Sequence, residues 1–242
     1  MRLKKRYQAL IIFILICLSI FLIYKNNNKN NINYTSLGDG LSLGKDSFGR
    51  IDYGYSDYIK DYLIEKNKLN KYIKSFSNEN MNIEKLYEYI LINKKIKLKD
   101  KEYNIRNVLR ESEILTMSIG LNDLIYGITT IRIKSPFEVD NVIKEIDINF
   151  NILVNEIKKY YKGEIYVIGY YKNPLYNSIT NDSIEKLNNV FKNNKDIVYI
   201  AIDDIINNKN NFSNPDSYYP NRIGYKLISQ KIISKISKKL EK

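Results

Sequence analysis

Apolar positions divide the chain into three stretches. Residues 9–24 are apolar throughout except for Ser19, and residues 26–33 (NNNKNNIN) are almost wholly polar. From 34 onward, short apolar runs alternate with longer segments in which apolar residues return every three or four positions. The runs 34–37, 114–119 (ILTMSI), 165–168 (IYVI) and 197–200 (IVYI) predict buried strands, and 72–76 predicts a weaker one. The segments 52–66, 83–93, 105–111, 137–161, 183–193 and 223–240 predict helices. The longest has the clearest stripe, with Val142, Ile146, Phe150, Leu153 and Ile157 at helical spacing. Strands separated by helices predict an α/β fold whose parallel sheet is covered on both faces. In such sheets ligands bind at the carboxyl ends of the strands.

The first apolar run follows Arg2, Lys4, Lys5 and Arg6. It is slightly shorter than the roughly 20 residues of an ordinary span, and no small-residue cleavage site follows it. It reads as an uncleaved signal anchor, one N-terminal transmembrane helix within 1–25, with a cleaved signal peptide as the alternative. The basic flank belongs on the cytoplasmic side. That orientation predicts a single-pass cell-membrane protein whose C-terminal domain is extracytoplasmic. Residues 26–33 are then a linker with no apolar surface to bury, and 34–242 form one domain.

Composition narrows the chemistry. The 242 residues carry a net charge of +12, which reads most simply as a solvated lysine-rich surface and also suits anionic wall polymers or lipid head groups. Cys17, inside the apolar run, is the only cysteine, so no disulfide forms within the chain. With no histidine and no acidic loop, the usual zinc and calcium sites are missing, so no metal and no cofactor are expected. An exported domain seldom meets nucleic acid, and no nucleic-acid partner is expected.

Three blocks stand at strand ends or before the last helix. Gly38-Asp39-Gly40-Leu41 follows the first strand, and Gly120-Leu121-Asn122-Asp123 follows ILTMSI. Asp216-Ser217-Tyr218-Tyr219-Pro220-Asn221 with Gly224-Tyr225 opens the last helix. Together they resemble the G-D-S-L, G-x-N-D and D-x-x-H-P-N…G-Y blocks of the SGNH/GDSL hydrolases. The 166–174 stretch, YVIGYYKNP, is similar to the strand-end segment of the bacterial membrane-attached branch. The resemblance covers about 34–240 and implies a flavodoxin-like three-layer α/β/α fold.

In that family a serine attacks an acyl carbonyl, a histidine takes its proton and an aspartate orients the histidine. Here Gly40 stands at the serine position, Tyr219 at the histidine and Asp216 at the aspartate. The family's second-block glycine belongs near 77–81, where this chain has none, whereas the G-x-N-D asparagine is kept as Asn122. An ordinary phenol keeps its proton up to about pH 10. Loss of a triad nucleophile costs about a million-fold in rate, about 8 kcal/mol of barrier. Ser42 and Ser36 flank the turn but are expected to face elsewhere.

The resemblance therefore implies a catalytically inactive pseudo-esterase of the cell envelope. The alternative is an active acyl-ester hydrolase on envelope glycans or lipids with a non-standard nucleophile, and a purely structural assembly factor is a third class. Two readings of the retained polar groups stand side by side. In one, Asp39, Gly40, Gly120, Asn122, Asp216 and Tyr219 form a pocket for a cell-wall glycan or acylated envelope molecule that is not cleaved. In the other, Asp39 braces the first turn, Asn122 caps the following helix, Asp216 caps the loop before Pro220, and an envelope protein binds elsewhere. The Tyr160-Tyr161, Tyr170-Tyr171 and Tyr218-Tyr219 pairs suit stacking on sugars, although pairs are unsurprising among 22 tyrosines.

Overall fold

The computed structural model describes residues 7, 12–21, 32–130, 136–173, 178–206, 209–213 and 218–240. Five strands form one parallel sheet: β1 (Ile32–Gly38), β2 (Leu69–Ile73), β5 (Ile114–Ser118), β6 (Ile165–Ile168) and β7 (Ile197–Ile200). Their order is β2-β1-β5-β6-β7, the flavodoxin-like arrangement, which reverses direction between β1 and β5. The register sets Tyr34 beside Ile114 and Gly38 beside Ser118, so both strands end at the same level. β5 is buried at every position, as expected of a strand with neighbours on both edges and helices on both faces.

The helices are α1 (Gly40–Leu43), α2 (Tyr55–Glu65), α3 (Ile83–Leu91), α4 (Ile105–Glu111), α5 (Leu121–Thr130), α6 (Pro136–Tyr160), α7 (Ser178–Asn193) and α8 (Arg222–Leu240). α2 and α8 pack together in one layer, while α3, α5 and α7 gather around α6 in the other. α3 shows why these segments are helical. Ile83, Leu86 and Ile90 share its buried face, and the Asn82 side chain accepts from Lys85 N at its start. On α6 the expected stripe of Val142, Ile146, Phe150, Leu153 and Ile157 is buried.

Several boundaries move. β1 begins at Ile32, so Ile32 and Asn33 belong to the sheet and not to a linker. Asn33 is held there by Glu113 Oε2 on its N–H and by its own Nδ2 on Glu111 O. β2 lies at Leu69–Ile73 and not at 72–76, because pairing with β1 decides the register of this half-exposed edge strand. The short α1, the helix α5 and an antiparallel hairpin of β3 (Lys95–Leu98) and β4 (Lys101–Asn104) were not legible in the pattern.

Of the N-terminal apolar run, residues 12–21 are described and helical. Among the described residues no helix is long and apolar enough to cross a membrane. The linker residues 26–31 lie outside the described residues.

Candidate functional site

The site sits at the switch point, where β1 ends against β5. Gly38 has a φ of +124°, and a Cβ on it would lie 1.8 Å from Ser118 O, so only glycine fits this approach. Asp39 N then donates to Ser118 O at 2.9 Å, and Asn78 N donates to Gly38 O at 3.0 Å. Three loops are joined at one point by backbone alone.

Asp39 is the polar centre of the site and is 3% exposed. One carboxylate oxygen accepts from Leu41 N at 3.0 Å, capping α1, and from Ser118 Oγ at 2.7 Å. The other accepts from Tyr170 OH at 2.5 Å, from beyond the end of β6. Burial pushes the carboxyl above its ordinary range, although all these donors pull the other way. Burial and the neighbouring Asp39 likewise hold the Tyr170 phenol well above its usual range. The bracing role expected for Asp39 is therefore what its geometry shows, and it reaches three strand ends rather than one turn.

Behind Asp39 the hydroxyls close into a buried network. Ser42 Oγ lies 2.8 Å from Ser118 Oγ and 2.9 Å from Tyr55 OH, and it donates to Leu37 O at 2.5 Å. Ser36 Oγ meets the same tyrosine at 3.4 Å. Ser36 and Ser42 are both fully buried, so neither presents a nucleophile to solvent. The sequence did carry a signal for Ser118 and Thr116, as hydroxyls inside an otherwise apolar strand.

Gly40 and Tyr219 meet directly. A Cβ on Gly40 would lie 2.5 Å from the Tyr219 hydroxyl oxygen and 2.8 Å from its ring carbon Cζ. Gly40 has no positive φ to forbid a side chain, so the tyrosine ring is what occupies the space. The Lys45 ammonium lies 5.4 Å from the centre of that ring and is paired with Glu79 at 2.7 Å. No sequence signal linked Lys45, Glu79 and Tyr219, because they come from three separate loops.

The Tyr219 segment is fixed by its own aromatics. Tyr219 packs edge-on against Tyr218, with ring centres 5.6 Å apart, and Tyr218 stacks on Tyr171 at 5.0 Å. Tyr171 OH donates to Tyr218 O at 2.5 Å, and Ser47 Oγ donates to Tyr219 O at 2.7 Å. The 170–171 and 218–219 pairs thus pack on protein rather than offering open faces to a sugar, and Tyr170 and Tyr171 are buried. Arg222 forks onto Asp52 at 3.0 and 2.8 Å and ties the start of α8 to the loop after α1, which holds Asp52 below the usual carboxylate range.

Asn122 does not cap the helix that follows it. Its Nδ2 donates to Glu79 O at 3.0 Å and to Met81 O at 2.8 Å, which fastens the loop after β2 to the start of α5. Both amide hydrogens are spent on that loop, whose Asn78 and Glu79 reach Gly38 and Lys45. Asp123 takes the capping work on a different helix, accepting from Ile83 N at 3.1 and 3.2 Å. Burial raises the Asp123 carboxyl from its ordinary 3.8 to about 6. Gly120, with a φ of +104°, turns the chain from β5 into α5. Asp216 lies outside the described residues. Among the described residues no group of three or more His, Cys, Asp or Glu side chains is placed to hold a metal ion.

No family model matches the chain, and no curated protein matches it. Solved structures do. A catalytic mutant of Axe2, an acetylxylan esterase from Geobacillus stearothermophilus, is 15% identical with a TM-score of 0.61, over 85% of this chain and 94% of that one. The esterase EstA from Pseudoalteromonas sp., inhibited by monoethylphosphonate, is 16% identical with a TM-score of 0.57, over 88% and 100%. A putative lipolytic protein of the G-D-S-L family from Desulfitobacterium hafniense is 10% identical with a TM-score of 0.56, over 84% and 98%. The chain has the SGNH/GDSL hydrolase-like fold, an α/β architecture on a parallel sheet.

Proposed function

We propose that this protein is a membrane-anchored, extracytoplasmic domain of the SGNH hydrolase fold that has lost ester hydrolysis and acts as a binding partner in the cell envelope. The observation that carries the proposal is the Tyr219 ring lying against Gly40, in the space a nucleophilic side chain needs. Ester cleavage by a serine mechanism requires a hydroxyl beside a base. Here the first position has no side chain and the second holds a phenol that fills the gap. The serine hydroxyls behind Asp39, Ser42 and Ser118, are buried and hydrogen-bonded, so no observation favours a substitute nucleophile.

The retained polar groups favour a partner on the surface over a small ligand in the old cleft. Asp39 is enclosed by its three donors, and Asn122 serves two backbone carbonyls. Support for the anchor comes from residues 12–21, whose large apolar side chains are exposed along a helix, from Ile12 at 58% to Phe21 at 61%. Such a surface is not left in water without cost.

The test is hydrolysis of p-nitrophenyl acetate by the full chain, beside Gly40→Ser/Tyr219→His. A natural chain indistinguishable from buffer is the expected result. Turnover by the natural chain that disappears in Asn122→Ala would show that the cleft is catalytic and would end the proposal.

A further inference from the structure

The parallel sheet gives the molecule two unlike poles. All five strands start at one pole and end at the other. The site described above lies at the carboxyl-end pole. The N-terminal apolar segment joins the fold at the opposite one, through Ile32 at the start of β1.

The amino-end pole is built with lysines facing out. The β3–β4 hairpin projects there. Tyr103 of β4 lies under Lys71 of β2, with the ammonium 5.5 Å from the ring centre, and Asn104 caps α4, which leads straight into β5. On this hairpin Ile96, Leu98 and Tyr103 face the protein, while Lys95, Lys97, Lys99 and Lys101 are exposed. Lys95 is paired with Glu102 at 2.9 Å. Lys97, Lys99 and Lys101 form no ion pair among the described residues. Lys95 and Lys97 share the outer face of β3 with Glu102, while Lys99 sits in the turn and Lys101 lies opposite Leu98 beside it, so the three lysines gather at the hairpin tip.

Two helix ends bring more positive charge to the same pole. α6 finishes there with Lys158 and Lys159, paired with Asp196 and Glu156, and the exposed Lys162 just beyond, and Arg106 and Arg110 of α4 stand 5.2 and 5.0 Å from the ring centre of Tyr160. α8 finishes there too, where Lys68 Nζ donates to Leu240 O at 2.5 Å. Lysines at helix C-termini suit the helix dipole, which accounts for those at the helix ends. It does not account for three unpaired lysines on a hairpin.

We propose that the amino-end pole, led by Lys97, Lys99 and Lys101 of the β3–β4 hairpin, rests on the anionic phospholipid surface of the membrane that holds the N-terminal segment. This rests on the anchor reading given above. The ten residues 22–31 span at most about 36 Å even when fully extended, so a segment embedded as far as residue 21 keeps Ile32, at this pole, within that reach of the head groups. Basic clusters beside a membrane segment are attracted to anionic lipid within about a Debye length, 8–10 Å. The site at the far pole then faces away from the bilayer.

The experiment uses the full chain in lipid vesicles. Cys17→Ser removes the only cysteine, and Lys99→Cys or Phe48→Cys then places one donor dye at the hairpin tip or at the exposed loop of the opposite pole. Energy transfer to an acceptor on the lipid head groups reports proximity, and resistance to carbonate extraction reports anchoring. In vesicles containing phosphatidylglycerol, transfer from position 99 is expected to exceed that from 48 by about twofold or more, and to fall at about 0.5 M salt. It is also expected to fall in pure phosphatidylcholine and in Lys97→Glu/Lys101→Glu, with extraction unchanged. Equal transfer from both positions, or no response to lipid charge, in a chain that resists extraction would overturn the pole assignment and leave the anchor standing. A chain that carbonate removes would overturn the anchor and this inference with it.

Discussion

At the carboxyl ends of the strands the polar side chains of the site face one another, and on the hairpin at the amino ends three lysines face water. Tyr219 covers Gly40, Asp39 is enclosed by Leu41 N, Ser118 and Tyr170, and the Asn122 amide is turned onto Glu79 and Met81. At the other pole Lys97, Lys99 and Lys101 stand exposed on a hairpin. The first arrangement satisfies buried groups internally, and internal satisfaction is what stability requires. The second leaves charge open, which stability does not require. The comparison teaches that within one fold the end that gathers polar groups can be internally satisfied while the opposite end leaves charge open.

Four changes would break or sharpen that contrast. The largest effect is expected from Asp39→Ala, which strips a cap from α1 and leaves Ser118 Oγ and Tyr170 OH buried without their acceptor. Loss of about 3 kcal/mol or more is expected from unsatisfied buried donors, read as a lowered urea midpoint. A near-neutral result would mean that water reaches Asp39 and its donors.

Next is the Gly40 contact. Gly40→Ser alone forces a side chain against the Tyr219 ring and should cost about 1–3 kcal/mol by overpacking. Adding Tyr219→His shortens the ring and should recover much of that loss. A double-mutant cycle in urea measures the coupling, and strict additivity would show that the two positions do not touch.

Third comes a pH effect at Asp123. Its folded value, about 6, lies above the ordinary 3.8, so between those values the native state holds the proton more tightly than the unfolded chain. Its stabilising contribution is complete below 3.8 and is lost as pH rises through about 6. The expected size is about 1–2 kcal/mol after allowance for partial exposure to water. Urea midpoints at pH 5 and 7 should therefore differ more in the natural chain than in Asp123→Asn, which keeps an oxygen for Ile83 N. Equal differences in the two proteins would remove Asp123 as the cause.

The smallest effect is expected at the basic pole. Lys97→Glu/Lys101→Glu should shift folding stability by no more than about 0.5 kcal/mol, because neither lysine holds a partner. A larger loss in thermal or urea unfolding would make the hairpin a structural element and weaken its reading as an outward-facing surface.

The sequence by itself determined that strands and helices alternate around a buried parallel sheet. Apolar runs such as ILTMSI and IYVI have nowhere to go but between two helical layers, and the stripe on α6 needs a sheet beneath it. β6 at Ile165–Ile168, β7 at Ile197–Ile200 and α4 at Ile105–Glu111 fall where the pattern put them. It also placed Asp39 and Gly40 after the first strand and Asn122 after ILTMSI, since chain order dictates which loops lie at the carboxyl ends.

Only the tertiary structure decided what those residues touch. Gly40 and Tyr219 are far apart in the chain, and nothing in the local pattern says that one fills the space the other leaves. The orientation of Asn122 depended on where the loop after β2 came to rest, and the enclosure of Asp39 depended on Ser118 and Tyr170 arriving from two other strands. The β3–β4 hairpin escaped the pattern because its alternation of lysine with Ile96 and Leu98 is short and strongly charged, and it became a strand pair only through pairing with Lys101–Asn104. Local periodicity reports which face of an element is buried. Contacts between distant loops depend on how the elements pack, and in this molecule those contacts separate a closed site from an open surface.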